Sequence, residues 1–128
     1  MMELNPTREA QVTVVRPAGH IDQARADEFL EALRAAMAAC GSEGTALLLD
    51  FAAVDYISSV GLRALMLTAR EAKAAGVALA VAALKPLVLE IFQISRFDMV
   101  VTVQPTVAAA IAALATPARA GADGTVRG

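Results

Sequence analysis

The stretch that decides the fold runs from residue 45 to residue 75 and reads TALLLDFAAVDYISSVGLRALMLTAREAKAA. Its first part, 45–51, is an apolar run without polar alternation, which is typical of a strand buried on both faces of a parallel sheet. Residues 52–57 are predicted to form a loop. A helix is predicted from Ser58 to Ala75, ended by Gly76, because its apolar residues recur at helical spacing: Leu62, Leu65, Met66 and Ala69.

The flanking sequence continues this alternation of strands and helices on both sides. Further strands are predicted over 11–15, 77–84 and 99–103, with a short strand at 2–5 before a turn at Pro6, and further helices over 23–40, 85–95 and 106–114. We expect Asp22 to cap and Gly41 to end the first helix, and Thr106 to cap the last. The pattern predicts an α/β fold with a mostly parallel central sheet and about four helices. It indicates one domain over residues 1–116 and a disordered tail over 117–128.

The composition supplies little chemistry of its own. The 128 residues are 57% hydrophobic and 4% aromatic, with one His and one Cys, which excludes a disulfide framework and a zinc site built from Cys and His. A net charge of −2 gives no positive field for nucleic acid. The longest charge-free stretch, 99–118, is broken by Pro105, and the first residues lack a secretion signal. We therefore expect a cytoplasmic protein with no membrane insertion, no metal and no cofactor.

Two serines at the predicted start of the second helix are the most informative polar pair. The free N–H groups and the dipole at a helix N-terminus favour a hydroxyl or an anion. Ser58 and Ser59 could simply cap the helix, which is common. Alternatively, one of them accepts a phosphate, which Arg63 could reach from four residues beyond Ser59 on the same helix face. The spacing alone leaves both interpretations open.

Catalytic alternatives rest on fewer residues. His20 could act as a base for Ser59 with one of three aspartates, but the sequence holds no GxSxG motif and no glycine-rich phosphate-binding loop. The same three carboxylates lack the spacing of a calcium-binding loop. A small hydrolase therefore depends on His20 alone, with its acid partner drawn from Asp22, Asp50 or Asp55.

Several motifs resemble one family in the order in which that family carries them. The segment YISSVGLR at 56–63 is similar to the signature of STAS domains, the anti-sigma factor antagonist family. AGHID at 18–22 resembles the turn after the first long strand of that family, and LLLDF at 47–51 resembles its central strand. Residues 85–97 resemble its third helix, so the likeness covers about residues 2–115. Two positions depart from the family pattern, because Ser58 stands where many members carry Asp, and Arg96 where many carry Gly.

The resemblance implies a role in partner switching rather than catalysis. In such antagonists the dephosphorylated protein binds an anti-sigma factor, often a serine kinase of the GHKL ATPase type, and thereby regulates sigma-factor-dependent transcription. Phosphorylation of a serine abolishes that binding, and a PP2C-type phosphatase restores it. The alignment places the phosphorylated serine at Ser59, with Ser58 as the alternative. The implied partner-binding residues are Gly19, Asp22, Ser58, Ser59, Gly61, Leu62 and Arg63.

A second function remains open within the same resemblance. Some STAS proteins are accessory subunits of ABC-type lipid transport complexes and bind the ATPase of the complex without a kinase cycle. Finding the chain together with an ABC ATPase would favour this interpretation.

Overall fold

The computed structural model describes residues 4, 6–41 and 46–114. The described chain alternates strands and helices, as the sequence predicts. The strands are β1 Thr7–Glu9, β2 Val12–Val15, β3 Ala18–Ile21, β4 Ala46–Asp50, β5 Ala53–Ile57, β6 Leu79–Ala82 and β7 Thr102–Gln104. The helices are α1 Ala26–Gly41, α2 Ser59–Ala75, α3 Pro86–Ile94 and α4 Val107–Leu114, with a short 3-10 helix at Phe97–Met99.

Five strands form the central sheet in the order β1-β2-β4-β6-β7. The β1–β2 pair is antiparallel, and the other neighbours are parallel. The predicted α/β class and the mostly parallel sheet are therefore confirmed. The central position of β4 explains the unbroken apolar run in its sequence, since helices cover both of its faces.

Successive residues of β4 point to opposite layers of the core. Leu47 and Leu49 belong to the larger cluster, with α1, α2 and α3, whereas Leu48 packs in a second cluster against Ala110 of α4. All three leucines are fully buried, so each contributes roughly 1.5–3 kcal/mol of apolar burial. A Leu48→Ala change would lose that burial and leave a cavity, typically at a cost of about 2–5 kcal/mol.

The prediction of a loop at residues 52–57 is wrong, because most of that segment is strand β5. It pairs in parallel with β3 to form a separate two-stranded sheet, and β3 was also missed in the sequence. In β5 only Val54 and Ile57 are buried, while the residues between them face outward. Since strands this short carry too few apolar residues for a clear period, their sequence does not distinguish them from loops.

Several predicted boundaries also move. The first strand lies at Thr7–Glu9, after Pro6 rather than before it, and the turn to β2 falls at Ala10 and Gln11, which both have positive φ. Most of the predicted strand at 2–5 lies outside the described residues, and Leu4, its described member, is not in a strand. The last strand begins at Thr102, because the 3-10 helix occupies the residues where it was expected to start.

The predicted helix boundaries are mostly confirmed. Gly76 ends α2 in the left-handed conformation, and the Thr106 hydroxyl accepts a hydrogen bond from Ala109 N (3.0 Å) at the start of α4. Asp22 does not cap α1, because a turn over residues 23–25 separates it from the helix start at Ala26. Gly41 is the last described residue of α1. The domain boundary at residue 116 and the tail lie outside the described residues and stay predictions.

None of the helices in the described part of the chain is both long enough and apolar enough to span a bilayer.

Candidate functional site

The two serines at the start of α2 have different structural roles. Ser58 is the N-cap, with an extended backbone, and its hydroxyl accepts a hydrogen bond from Gly61 N at 3.1 Å. Its own N–H donates to the carbonyl of Ile21 at 2.9 Å, and its side chain is half-buried. Ser59 is the first residue of the helix and is exposed. Its hydroxyl makes no hydrogen bond with any residue that the structure describes, so it is the chemically available one.

Gly61 fixes how closely α2 approaches the end of β3. A Cβ atom at this position would lie 2.7 Å from the Ile21 carbonyl oxygen and 2.8 Å from Cγ1 of Ile57. Both distances are shorter than ordinary contacts, and one of the atoms is backbone, which yields little. Only glycine therefore lets α2 begin against the strand end, which holds Ser58 and Ser59 in place.

The end of β3 brings Gly19 and Asp22 to the same region. Gly19 has a φ of +81°, a conformation that favours glycine. Arg25 stabilises this bend, since its Nη1 donates to the carbonyls of Ala18 at 3.1 Å and His20 at 3.4 Å. Asp22 directly follows Ile21, whose carbonyl is bound by the start of α2, so the chain path alone places Asp22 beside that helix start.

The carboxylate of Asp22 is unusual because its Oδ1 atom is buried and has no hydrogen-bond partner among the residues that the structure describes. A buried acceptor without a donor costs free energy. Asp22 was predicted to contact a partner, and its place beside α2 is compatible with that role, which stays a prediction.

Leu62 and Arg63, also predicted to bind the partner, differ in exposure. Leu62 is half-buried and packs against the main core, so much of its side chain serves stability. Arg63 is exposed on the first turns of α2. The structure thus brings the predicted residues together around one helix start, although Leu62 faces partly inward.

Two exposed apolar side chains beside the serines were missed in the sequence. Tyr56 is 37% exposed at the end of β5, and Val60 is 39% exposed in the first turn of α2. The ring of His20 lies 6.0 Å from that of Tyr56. Exposed aromatic residues are enriched at protein interfaces. The sequence does not indicate their exposure, because a loop prediction for residues 52–57 does not say which side chains face outward. A strand prediction would have done so, since alternate residues of a strand face opposite sides.

Two of the three carboxylates considered for catalysis, Asp55 and Asp50, are engaged elsewhere. Asp55 Oδ1 accepts a hydrogen bond from Lys85 Nζ at 2.5 Å, and this bond, the Lys85 charge and the nearby His20 lower the pKa of Asp55. Asp50 Oδ1 accepts from Ala52 N at 3.0 Å at the end of its strand. Within the described ranges, no hydrogen bond links His20 to Ser59, so no hydrolase triad is assembled. Those ranges also hold no cluster of His, Cys, Asp and Glu suited to a metal ion.

Comparison with known proteins assigns the family. The STAS domain family model matches residues 3–110. BtrV of Bordetella bronchiseptica, which bears the name anti-sigma factor antagonist, is 38% identical over 98 residues, covering 77% of this chain and 82% of that protein.

Solved structures support the same assignment. An anti-sigma factor antagonist from Mycobacterium paratuberculosis has 25% identity and a TM-score of 0.72, over 89% of this chain and 94% of that one. A STAS domain protein from Planctomyces limnophilus shares the fold, with 23% identity and a TM-score of 0.79 over 88% and 98% of the two chains. The chain therefore belongs to the STAS domain family, in the group of its anti-sigma factor antagonists.

Proposed function

We propose that this protein binds an anti-sigma factor through the start of α2 and that phosphorylation of Ser59 releases it. The observation that carries the proposal is the contrast between the two serines. The Ser58 hydroxyl is half-buried and occupied by Gly61 N–H, whereas the Ser59 hydroxyl is exposed and free to react. A kinase could therefore modify Ser59 without breaking the helix cap.

A phosphate on Ser59 would be accommodated by the folded protein. It would lie at the positive end of the α2 dipole, where an anion is favourable. Arg63 follows four residues later and is exposed, so it can reach the same helix face. The modified protein should consequently stay folded, and the switch would act on the surface alone.

The same phosphate would disrupt a docked partner. It adds about −1.5 to −2 charge units at neutral pH. Tyr56 and Val60 are exposed apolar side chains close to Ser59 in the sequence, and moving a charged phosphate out of water into an apolar contact with a partner would be costly. Unmodified protein would bind, and modified protein would dissociate.

The proposed partners are those that the resemblance to the family implies. The anti-sigma factor would be a serine kinase of the GHKL type that supplies its own ATP, and a PP2C-type phosphatase would remove the phosphate. Release of the sigma factor would then regulate transcription. This chain would act by binding and not as an enzyme.

The test uses the host's anti-sigma kinase with ATP and locates phosphate by mass spectrometry. Wild type and Ser58→Ala should carry phosphate on residue 59, and Ser59→Ala should carry none. Ser59→Asp should weaken kinase binding at least about tenfold, which corresponds to about 1.4 kcal/mol. Ser58→Ala is the matched control for phosphorylation, and it should weaken binding less than Ser59→Asp does.

Unmodified Ser59, together with unchanged binding of Ser59→Asp, would overturn the switch. If the same unmodified protein formed a stable complex with an ABC ATPase, the role of transporter accessory subunit would replace it.

A further inference from the structure

A groove of about 670 Å³ lies between α1 and strand β2 of the central sheet. Leu4 and Val15 contribute to one side of it. The opposite wall is a stripe of small residues on α1, namely Ala32, Ala35, Ala36 and Ala39. This volume falls within the range of small-molecule sites, which is roughly 300–1,000 Å³.

The groove exists because α1 carries two different apolar stripes. The stripe with Phe29 and Leu33 is buried in the main core. The neighbouring stripe consists of alanines, of which Ala32 and Ala36 pack partly against the main core, while Ala35 and Ala39 are exposed. Alanine preserves the helix while leaving this side of the core unfilled.

Thr13 provides a polar group on the strand side of the groove. Its side chain lines the groove although the residue is only 8% exposed. Its hydroxyl has no hydrogen-bond partner in the part of the chain that the structure describes. The strand neighbours Val12 and Val14 pack on the opposite face with α4. The nearly buried side chain lines the groove, so a ligand atom there could form a hydrogen bond with its hydroxyl.

The acidic side chains at the rim of the groove favour a positively charged ligand. Glu28 and Glu31 line the groove from the first turns of α1, and its described lining residues include no Lys or Arg, although Arg34 interacts electrostatically with Glu31 from the same helix. About 16 Å of helix axis separates Glu28 from Ala39, so the groove has a negative end and a long apolar wall.

We propose that this groove binds a small amphipathic amine. Its ammonium group would lie at Glu31, its apolar chain along the alanine stripe, and a hydrogen-bonding group at Thr13. The site is separate from the serines of α2 and is independent of the proposed switch.

The test measures binding of 8-amino-1-octanol, octylamine and octyl sulfate below their micellar concentrations, by calorimetry and by amide chemical shifts. Both amines should bind saturably, with shifts centred on Ala35, Ala36 and Thr13, and octyl sulfate should bind at least about tenfold more weakly. Each methylene removed from the chain should weaken binding by up to about fourfold.

Three variants assign the parts of the site. Ala35→Leu should fill the groove and weaken octylamine binding about tenfold or more, whereas Ala38→Leu, exposed on α1 outside the groove, should leave it unchanged. Glu31→Gln should reduce the preference for octylamine over octyl sulfate. Thr13→Val should lower the affinity of 8-amino-1-octanol relative to octylamine about fivefold, because a buried hydroxyl would lose its partner.

Absence of saturable binding, or equal effects of Ala35→Leu and Ala38→Leu, would overturn the proposal. Shifts centred on the start of α2 instead of α1 would also overturn it.

Discussion

The starts of α2 and α3 both adjoin β5, but they are built in different ways. The α2 start is held by a buried contact and a side-chain cap, with Gly61 against Ile21 and Ser58 bound to Gly61 N–H. The α3 start has no side-chain cap. It relies on Pro86 in its first turn and on the ion pair between Lys85 and Asp55.

This difference shows which start is suited to a switch. Contacts of backbone and small side chains fix α2 without using the Ser59 hydroxyl, which remains available. The ion pair at the α3 start joins exposed side chains, so its contribution depends on pH and salt, whereas Val88 and Phe92 hold the body of the helix in the core. We therefore expect α2 to tolerate modification at its surface but not at its contact with β3, and α3 to tolerate most changes at its start.

Among changes at the two helix starts, the largest loss should come from Gly61→Ala. The added methyl group would collide with the Ile21 carbonyl oxygen and with Ile57 Cγ1, so the cost should reach the upper end of the about 1–3 kcal/mol that overpacking typically causes. The better helix propensity of alanine would offset up to about 1 kcal/mol of this cost, which leaves a net loss of about 2 kcal/mol. Urea unfolding measures the difference. If the variant were as stable as wild type, the close approach of α2 to β3 would be wrong.

A smaller loss is expected for Ser58→Ala. Removing an N-cap hydroxyl costs about 0.5–2 kcal/mol, because Gly61 N–H loses its acceptor. Ser59→Ala is the matched control and should change the free energy of unfolding little, since its hydroxyl has no partner among the described residues. Equal losses in the two variants would contradict the division of roles between the serines.

This division could be predicted only in part from the sequence. The dipeptide at 58–59 and the helix after it identified the site, and the family motif indicated Ser59. Which serine hydroxyl accepts the capping hydrogen bond depends on the residue at which the helix begins. A sequence pattern does not locate a helix start to within one residue. The collision at Gly61 involves Ile21, 40 positions earlier in the chain, and hence required the tertiary structure.

The sequence predicts the central strand of the fold better than the two strands of the small separate sheet. Strand β4 is apolar throughout because it is covered on both faces, so its sequence predicts it directly. Among the described strands, β3 and β5 pair with each other and with no third strand, and they expose much of their length. Without a long apolar period they looked like loops, and the outward positions of Tyr56 and Asp55 were missed with them.

At the α3 start, Pro86→Ala should have a smaller effect than Ser58→Ala. Proline stabilises the first turn mainly by restricting the unfolded chain, and replacing it typically costs about 0.4–1 kcal/mol. Pro86 is exposed, so no packing is lost. The measurement is again urea unfolding, with the two variants compared at the same pH. A loss larger than that of Ser58→Ala would reverse the comparison between the two helix starts.

The smallest effect should come from the ion pair, and it should depend on pH. The hydrogen bond and charge of Lys85 lower the pKa of Asp55 in the folded protein. A lowered folded-state pKa adds stability that is present above the pKa of the unfolded state and is lost as the pH falls through the folded value. The ordinary pKa of this carboxyl group is 3.8. The full stabilisation should therefore be present near neutral pH, decline as the pH falls below that value, and disappear below the lowered pKa of the folded protein.

Asp55→Asn should therefore be slightly less stable than wild type at neutral pH, and the difference should vanish in acid. Lys85→Met should behave in the same way, because it removes the same pair. Glu71→Gln is the comparison variant in another part of the fold. The bidentate ion pair between Glu71 and Arg34 joins α1 to α2 and also lowers the pKa of the Glu71 carboxyl group. The two carboxylates are far apart in the fold, so their losses should add. A neutral-pH loss for Asp55→Asn as large as that for Gly61→Ala would mean that α3 is held as firmly as α2.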